Sequence, residues 1–126
     1  KNMRITSSQD WTYNCIAYTF NDTTRWWEPA PRRYWPKNIL RELTLDAYVQ
    51  LATSHGYRQC EGASFEPGYQ RIALFTKNGL PTHMCRQLES GLWASKLGQL
   101  EDVEHELEAI EGDRYGSLAA IFRRKS

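Results

Sequence analysis

A thiol and an imidazole, set far apart in the chain, are the residues most able to do covalent chemistry here. Cys15 follows Asn14 at the head of a short apolar run, and His83 follows Pro81 and Thr82 at the head of an alternating one. A thiolate attacks carbonyl carbon well but needs a base within hydrogen-bond reach to take its proton. A cysteine opening a helix and a histidine on a strand supply that couple in cysteine hydrolases. In the first turn of a helix the unpaired N–H groups carry partial positive charge, which lowers a thiol's pKa. Each residue alone has a plainer reading. Lone cysteines most often pack as small apolar side chains, and a lone strand histidine is most often half-buried and structural.

The elements that must position the pair follow from local pattern. Asn14 is a good N-cap for the run Cys15-Ile16-Ala17-Tyr18-Thr19-Phe20, which residues 21–24 end. A second helix has Thr44 as its N-cap, Leu45, Tyr48, Leu51 and Ala52 as its apolar stripe, and Gly56 for the left-handed position beyond its end. From there the period changes to two. Residues 71–76 alternate, Asn78-Gly79 is a turn, and strands over 82–88 and 92–97 are joined by Glu89-Ser90-Gly91. Residues 101–110 predict an acidic surface helix with Val103, Leu107 and Ile110 inward, and 115–122 a last strand before the basic tail Arg123-Arg124-Lys125, read as a solvated terminus. The order predicts an α+β fold with a largely antiparallel sheet. Residues 1–13 read as a poorly specified arm.

Strand alternation then places the chemistry. With 89–91 as the loop, Leu88 faces Leu92 and Cys85 falls opposite Ser95. His83, Cys85 and Gln87 share a face with Trp93, Ser95 and Leu97, while Arg86 and Lys96 point the other way. Ser95 lies diagonally across from His83 and is placed to orient its imidazole. A loop one residue shorter would bring Lys96 round instead, and His105 is a further polar candidate, so the third position is open among the three. A Ser95–Lys96 nucleophile–base pair is disfavoured, because adjacent strand residues face opposite ways. Cys60 lacks a partner, and Cys85 is expected to pack beneath His83.

Residues 25–37 hold three prolines and form a stiff aromatic loop rather than a helix. Trp26, Trp27, Tyr34 and Trp35, with Arg25, Arg32 and Arg33, could stack on a substrate, and Trp93 on the His83 face is a further candidate contact. The favoured reading is that the rings pack over the sheet as a second small core, with an edge walling the cleft. No metal spacing is present: His83 and His105 with Cys15 or Cys85 form no usual zinc pattern. No glycine-rich nucleotide loop occurs, so no cofactor is expected.

The 126 residues, 40 % apolar and 13 % aromatic, suit a single domain over 1–126. A net charge of +1, from sixteen basic and fifteen acidic side chains, argues against duplex nucleic acid or an anionic membrane surface as partner. No apolar run reaches the length of a membrane span and no signal-peptide core follows the N-terminus. The chain starts at Lys1 rather than methionine, so a trimmed upstream segment is expected. Three cysteines, odd and sparse, predict reduced thiols and a cytoplasmic protein, compatible also with delivery as an effector by a signal-free route.

The run Asn14-Cys15-Ile16-Ala17, then Arg25-Trp26-Trp27, Tyr34-Trp35-Pro36, Pro81-Thr82-His83, Arg86-Gln87-Leu88, Trp93-Ala94-Ser95-Lys96-Leu97-Gly98, His105, Glu111-Gly112 and Tyr115-Gly116 resembles a small family of uncharacterised bacterial domains, over roughly residues 11–123. That family in turn resembles the papain-like cysteine hydrolases, in the compact branch of cell-wall peptidases and amidases. The resemblance implies a helix carrying the nucleophile packed on an antiparallel sheet, a histidine base opening a strand, and an orienting polar residue on the next strand. Cys15 and His83 match the first two roles. Ser95 stands where the third is expected, in place of the usual Asp, Asn, Gln or His, with His105 as the alternative. The Cys15 amide and Gln9 match the oxyanion-hole donors. The implied function is a hydrolase or acyl transferase that cleaves an amide or ester through an acyl-thioester. The alternative is an inactive papain-like domain that binds a peptide or a protein partner. The substrate and the oligomeric state are not legible.

Overall fold

The computed structural model describes residues 3–97 and 101–126. Lys1 and Asn2 of the arm, and Gly98 of the 93–98 run, lie outside the described residues. Helix α1 (Cys15–Thr19) starts where Asn14 predicts: Asn14 Oδ1 accepts from the Ala17 amide at 3.2 Å. It is a single turn, since Asn21 takes a left-handed φ of 64° just beyond it. Helix α2 (Leu45–Ser54) is capped by Thr44 and buries Tyr48, Leu51 and Ala52 of the expected stripe, while Leu45 at its start is exposed and Ala47 takes its place inside.

Among the described residues, seven antiparallel strands complete the fold: β1 (Arg4–Ile5), β2 (Arg58–Cys60), β3 (Tyr69–Lys77), β4 (Leu80–Gln87), β5 (Trp93–Lys96), β6 (Asp102–His105) and β7 (Ser117–Lys125). Their order across the sheet is β1-β6-β5-β4-β3-β7-β2. The α+β class and the antiparallel sheet agree with the sequence expectation. The β4–β5 register also agrees, with Arg86 opposite Ala94 and Gln87 opposite Trp93.

Three expectations are corrected. Residues 101–110 are not a helix: Asp102–His105 is a strand paired to both β5 and β1, followed by a 3-10 turn over Leu107–Ile110. Val103 and Ile110 are buried as expected, but Val103 and His105 are buried by alternation. The arm is not unspecified, since Arg4 and Ile5 pair with Glu104 and Val103 at the sheet edge. The basic tail is not a solvated terminus either, because β7 runs on through Arg123 and Arg124, which pair with Arg71 and Gln70.

The sheet separates two apolar layers. On one face α1, α2 and the aromatic loop bury Ile72, Leu74, Met84 and Phe122. On the other, the 3-10 turn and the segment before β7 cover Ala73, Phe75, Cys85, Trp93 and Ile121. Gly116 (φ 80°) fits where no side chain would, because a Cβ there would lie 2.0 Å from the Thr76 carbonyl oxygen. That close approach carries Tyr115 onto the His83 ring, with centroids 4.5 Å apart.

Candidate active site around Cys15 and His83

β4 and β5 are hydrogen-bonded near their shared turn, where Leu88 donates to the Leu92 carbonyl at 2.8 Å. Their pairing stops at Arg86 and Ala94, although β5 runs on to Lys96 and β4 starts at Leu80. Beyond that point the strands part. N–H groups alternate along a strand, so the Met84 amide points the same way as that of Leu88, into the parting. Cys15 sits over this gap, and the amides of Met84, Ile16 and Cys15 face its sulfur.

His83 precedes Met84 and leaves the strand on the other side. It is 1 % exposed, packed between Phe75 and Tyr115. Its Nε2 lies 2.9 Å from Ser95 Oγ, as the diagonal register predicts. Ser95 Oγ lies 2.6 Å from His105 Nε2, and His105 Nδ1 lies 2.6 Å from the Glu106 carbonyl oxygen. Hydrogen positions in this chain follow from its last member. A carbonyl only accepts, so His105 Nδ1 carries the proton; burial holds His105 below its usual pKa and thus neutral, leaving Nε2 an acceptor. Ser95 therefore donates to His105 and accepts from His83 Nε2–H. His83 Nδ1 is left as a bare lone pair, buried with no hydrogen-bond partner among the described residues.

Ser95 and His105 are thus hydrogen-bonded in series to His83 rather than separately. Lys96 faces the α1 side: it is fully buried, 3.8 Å from Asp102 Oδ1 and 4.5 Å above the Tyr13 ring, while Tyr13 donates to Asp102 Oδ2 at 2.7 Å. Cys85 lies buried on the His83 face beside Ser95, as expected.

Two sequence expectations change here. The helix start does not lower the Cys15 pKa. Burial dominates and pushes the thiol up to about 11, against the opposing pull of the three amides. One turn of helix has too few aligned peptides to outweigh it. Burial, and secondarily His105, brings His83 down to about 3. At neutral pH the couple is therefore a thiol and a neutral imidazole, not an ion pair. The second change concerns faces. Cys15 packs with the helical layer and His83 against Phe75 in the opposite one, so the sheet lies between the two layers they belong to.

The other candidates are placed as follows. Gln9 is exposed and makes no hydrogen bond among the described residues. Trp27 and Trp35 are core residues, 5 % and 2 % exposed, and are not available to a substrate. Trp27 stacks on Phe20 and donates to Asp22 Oδ2 at 2.7 Å; Trp35 donates to the Leu40 carbonyl at 3.0 Å. Trp93 is buried too, beneath the 3-10 turn. Trp26 and Tyr34 are half-buried under Arg33 and Arg25, whose guanidiniums lie 5.3 and 3.5 Å from the ring centroids. Asn14 joins loop to helix: its Nδ2 donates to the Trp27 carbonyl at 2.7 Å, and its Oδ1 accepts from the Trp27 amide at 3.1 Å. Sequence reasoning overlooked Tyr115 and the Glu106 carbonyl, and the alternation of Val103 with His105 was the available signal.

Among the described residues no three His, Cys, Asp or Glu side chains are grouped to hold a metal ion, and no helix is long and apolar enough to cross a membrane. No curated protein and no solved structure matches the chain. A family model described as a domain of unknown function, DUF7689, matches residues 4–123, and the chain belongs to that family.

Proposed function

We propose that Cys15 and His83 are the nucleophile and base of a papain-like cysteine hydrolase or acyl transferase acting on an amide or ester carbonyl. The observation that carries this reading is the directed chain Glu106 carbonyl, His105, Ser95, His83, which favours the Nε2–H tautomer of His83 and leaves its buried Nδ1 without a hydrogen-bond partner among the described residues. A base poised to take a thiol's proton needs that tautomer. His83 Nδ1 takes the Cys15 proton as the sulfur bonds to the carbonyl carbon. The tetrahedral oxyanion is met by the Cys15 amide, and the leaving amine or alcohol departs with the proton from Nδ1. Water, activated by Nδ1, then releases the acyl group. Ser95 and His105 hold the ring and stabilise its positive charge in each transition state.

The test is acylation by an activated ester such as p-nitrophenyl acetate, followed by peptide mapping. The acyl mass is expected on Cys15, with half-buried Cys60 as the internal control thiol, and to be lost in Cys15→Ala and His83→Gln. Acylation equal at Cys15 and Cys60, or insensitive to His83→Gln, refutes the reading. A second reading, a non-catalytic domain that binds a peptide or partner, is favoured by the placement of Cys15 and His83 in opposite layers. The same experiment separates the two.

A further inference from the structure

The far edge of the sheet from Cys15 holds a feature of different chemistry. The start of β2, the start of β3 and the end of β7 enclose a cavity of about 500 Å³ lined by Gly56, Arg58, Tyr69, Arg123, Arg124 and Lys125. Four of these six are cations and none is an acid, in a chain whose net charge is only +1. Grouping like charges at strand ends is unfavourable unless counter-charges compensate it.

Compensation here is incomplete. Glu66 Oε1 accepts from Arg123 Nη1 at 2.6 Å and also faces Arg71 Nη2 at 3.2 Å, so one carboxylate serves two guanidiniums. Arg71, opposite Arg123 in the ladder, keeps Nη1 buried with no hydrogen-bond partner among the described residues. Two of the lining cations are fixed in place. Arg123 lies 4.4 Å over the Tyr69 ring, and Arg124 lies 4.5 Å over Tyr57 while donating to the His55 carbonyl at 2.6 Å. The other two, Arg58 and Lys125, are exposed, with no side-chain partner among the described residues. Fixed guanidiniums with spare N–H groups, flanked by two exposed cations, suit an anion with several acceptor oxygens and more than one charge.

We propose that this pocket binds a phosphate-bearing ligand, with a diphosphate as the best match to its charge. Arg123, held over Tyr69, forms the floor, Arg58 and Lys125 close over the phosphate oxygens from the same face of the sheet, and Arg124, the next residue along β7, adds its charge from the opposite face. A single carboxylate has one charge to offer and leaves most of the excess uncompensated. The site is independent of Cys15.

The test is calorimetric titration of the full chain with pyrophosphate and with inorganic phosphate, at fixed ionic strength, against citrate as a non-phosphate polyanion. The variant Arg58→Ala/Lys125→Ala removes only exposed side chains. Saturable pyrophosphate binding, tighter than citrate and weakened about tenfold or more in the double variant, is the expected result. Equal affinity for citrate, equal affinity in the double variant, or no binding to any phosphate probe overturns it. Vesicles of phosphatidylglycerol, with phosphatidylcholine as control, identify the source. Capture by the anionic vesicles, lost in the double variant and without pyrophosphate binding, assigns the phosphate to a lipid headgroup; pyrophosphate binding alone assigns it to a soluble ligand.

Discussion

Ser95→Ala removes the one hydroxyl that links two buried imidazoles, and its cost can be worked from the geometry. Ser95 Oγ is 2.9 Å from His83 Nε2 and 2.6 Å from His105 Nε2, and all three residues are at most 1 % exposed. Alanine leaves a buried donor on His83 and a buried acceptor on His105. Each such group costs about 1–3 kcal/mol, so the variant is expected to lose roughly 2–6 kcal/mol in urea unfolding. A domain of this size has about 5–15 kcal/mol in all, so the loss takes a large share of it. Stability alone does not test the directed chain, but the tautomer does. Nitrogen-15 NMR of the His83 ring should report protonated Nε2 in the parent and a mixed population in Ser95→Ala. Ser95→Thr keeps a hydroxyl and should restore both readouts. A loss below about 0.5 kcal/mol, the size of an ordinary surface substitution, would refute the reasoning, as would an Nδ1–H tautomer in the parent.

Further predictions concern pH and the helix start. The folded-state pKa values of His83 and His105 lie below that of free histidine, so the unfolded chain binds more protons and stability falls as pH drops. The loss should begin below about pH 6.5, be steepest between there and the His83 value of about 3, and level off as folded His83 itself protonates, at up to ~1.4 kcal/mol per pH unit for each imidazole held neutral. Urea midpoints between pH 7 and 5 check this window, which lies above that of Asp22, lowered to about 2; a flat profile there contradicts it. Asn14→Ala should cost about 2–4 kcal/mol in urea unfolding, because it removes the α1 cap and leaves the Trp27 amide and carbonyl unpaired. It should also speed protease cleavage within 25–37, and a neutral effect on both counts would contradict the clamp.

How much of this was legible in the sequence depends on whether the signal was local. The Asn14 and Thr44 caps, the α2 stripe and the three-residue β4–β5 turn are local, and from them the His83–Ser95 diagonal follows by alternation alone. Residues 101–110 misled because Val103, Leu107 and Ile110 fit a helical stripe, while the competing pattern had only Val103 and His105 to show for a four-residue strand. What makes it a strand is its pairing with β5 and β1, which no local window contains. The face carrying α1 was equally hidden, since strand alternation separates two faces but does not say which one a helix covers. That missing fact matters most for Cys15, because it decides whether sulfur and imidazole belong to one layer or to opposite ones. The rise of the thiol pKa was missed for a related reason: the cap was visible and the burial was not. The aromatic loop packed as its proline content suggested, with Trp27 and Trp35 inside.

The central claim is that His83 is the base for Cys15, and the most direct measurement is the rate of Cys15 alkylation by a small reagent as a function of pH. A thiol raised to about 11 with no base would react negligibly at pH 7. With His83 Nδ1 taking the proton, the parent should react at pH 7 at least about tenfold faster than His83→Gln, whose amide can still donate to Ser95 but cannot act as a base. The rate should fall as the imidazole protonates at low pH. Identical rates in parent and variant, or a parent profile rising only near pH 11, would contradict the account.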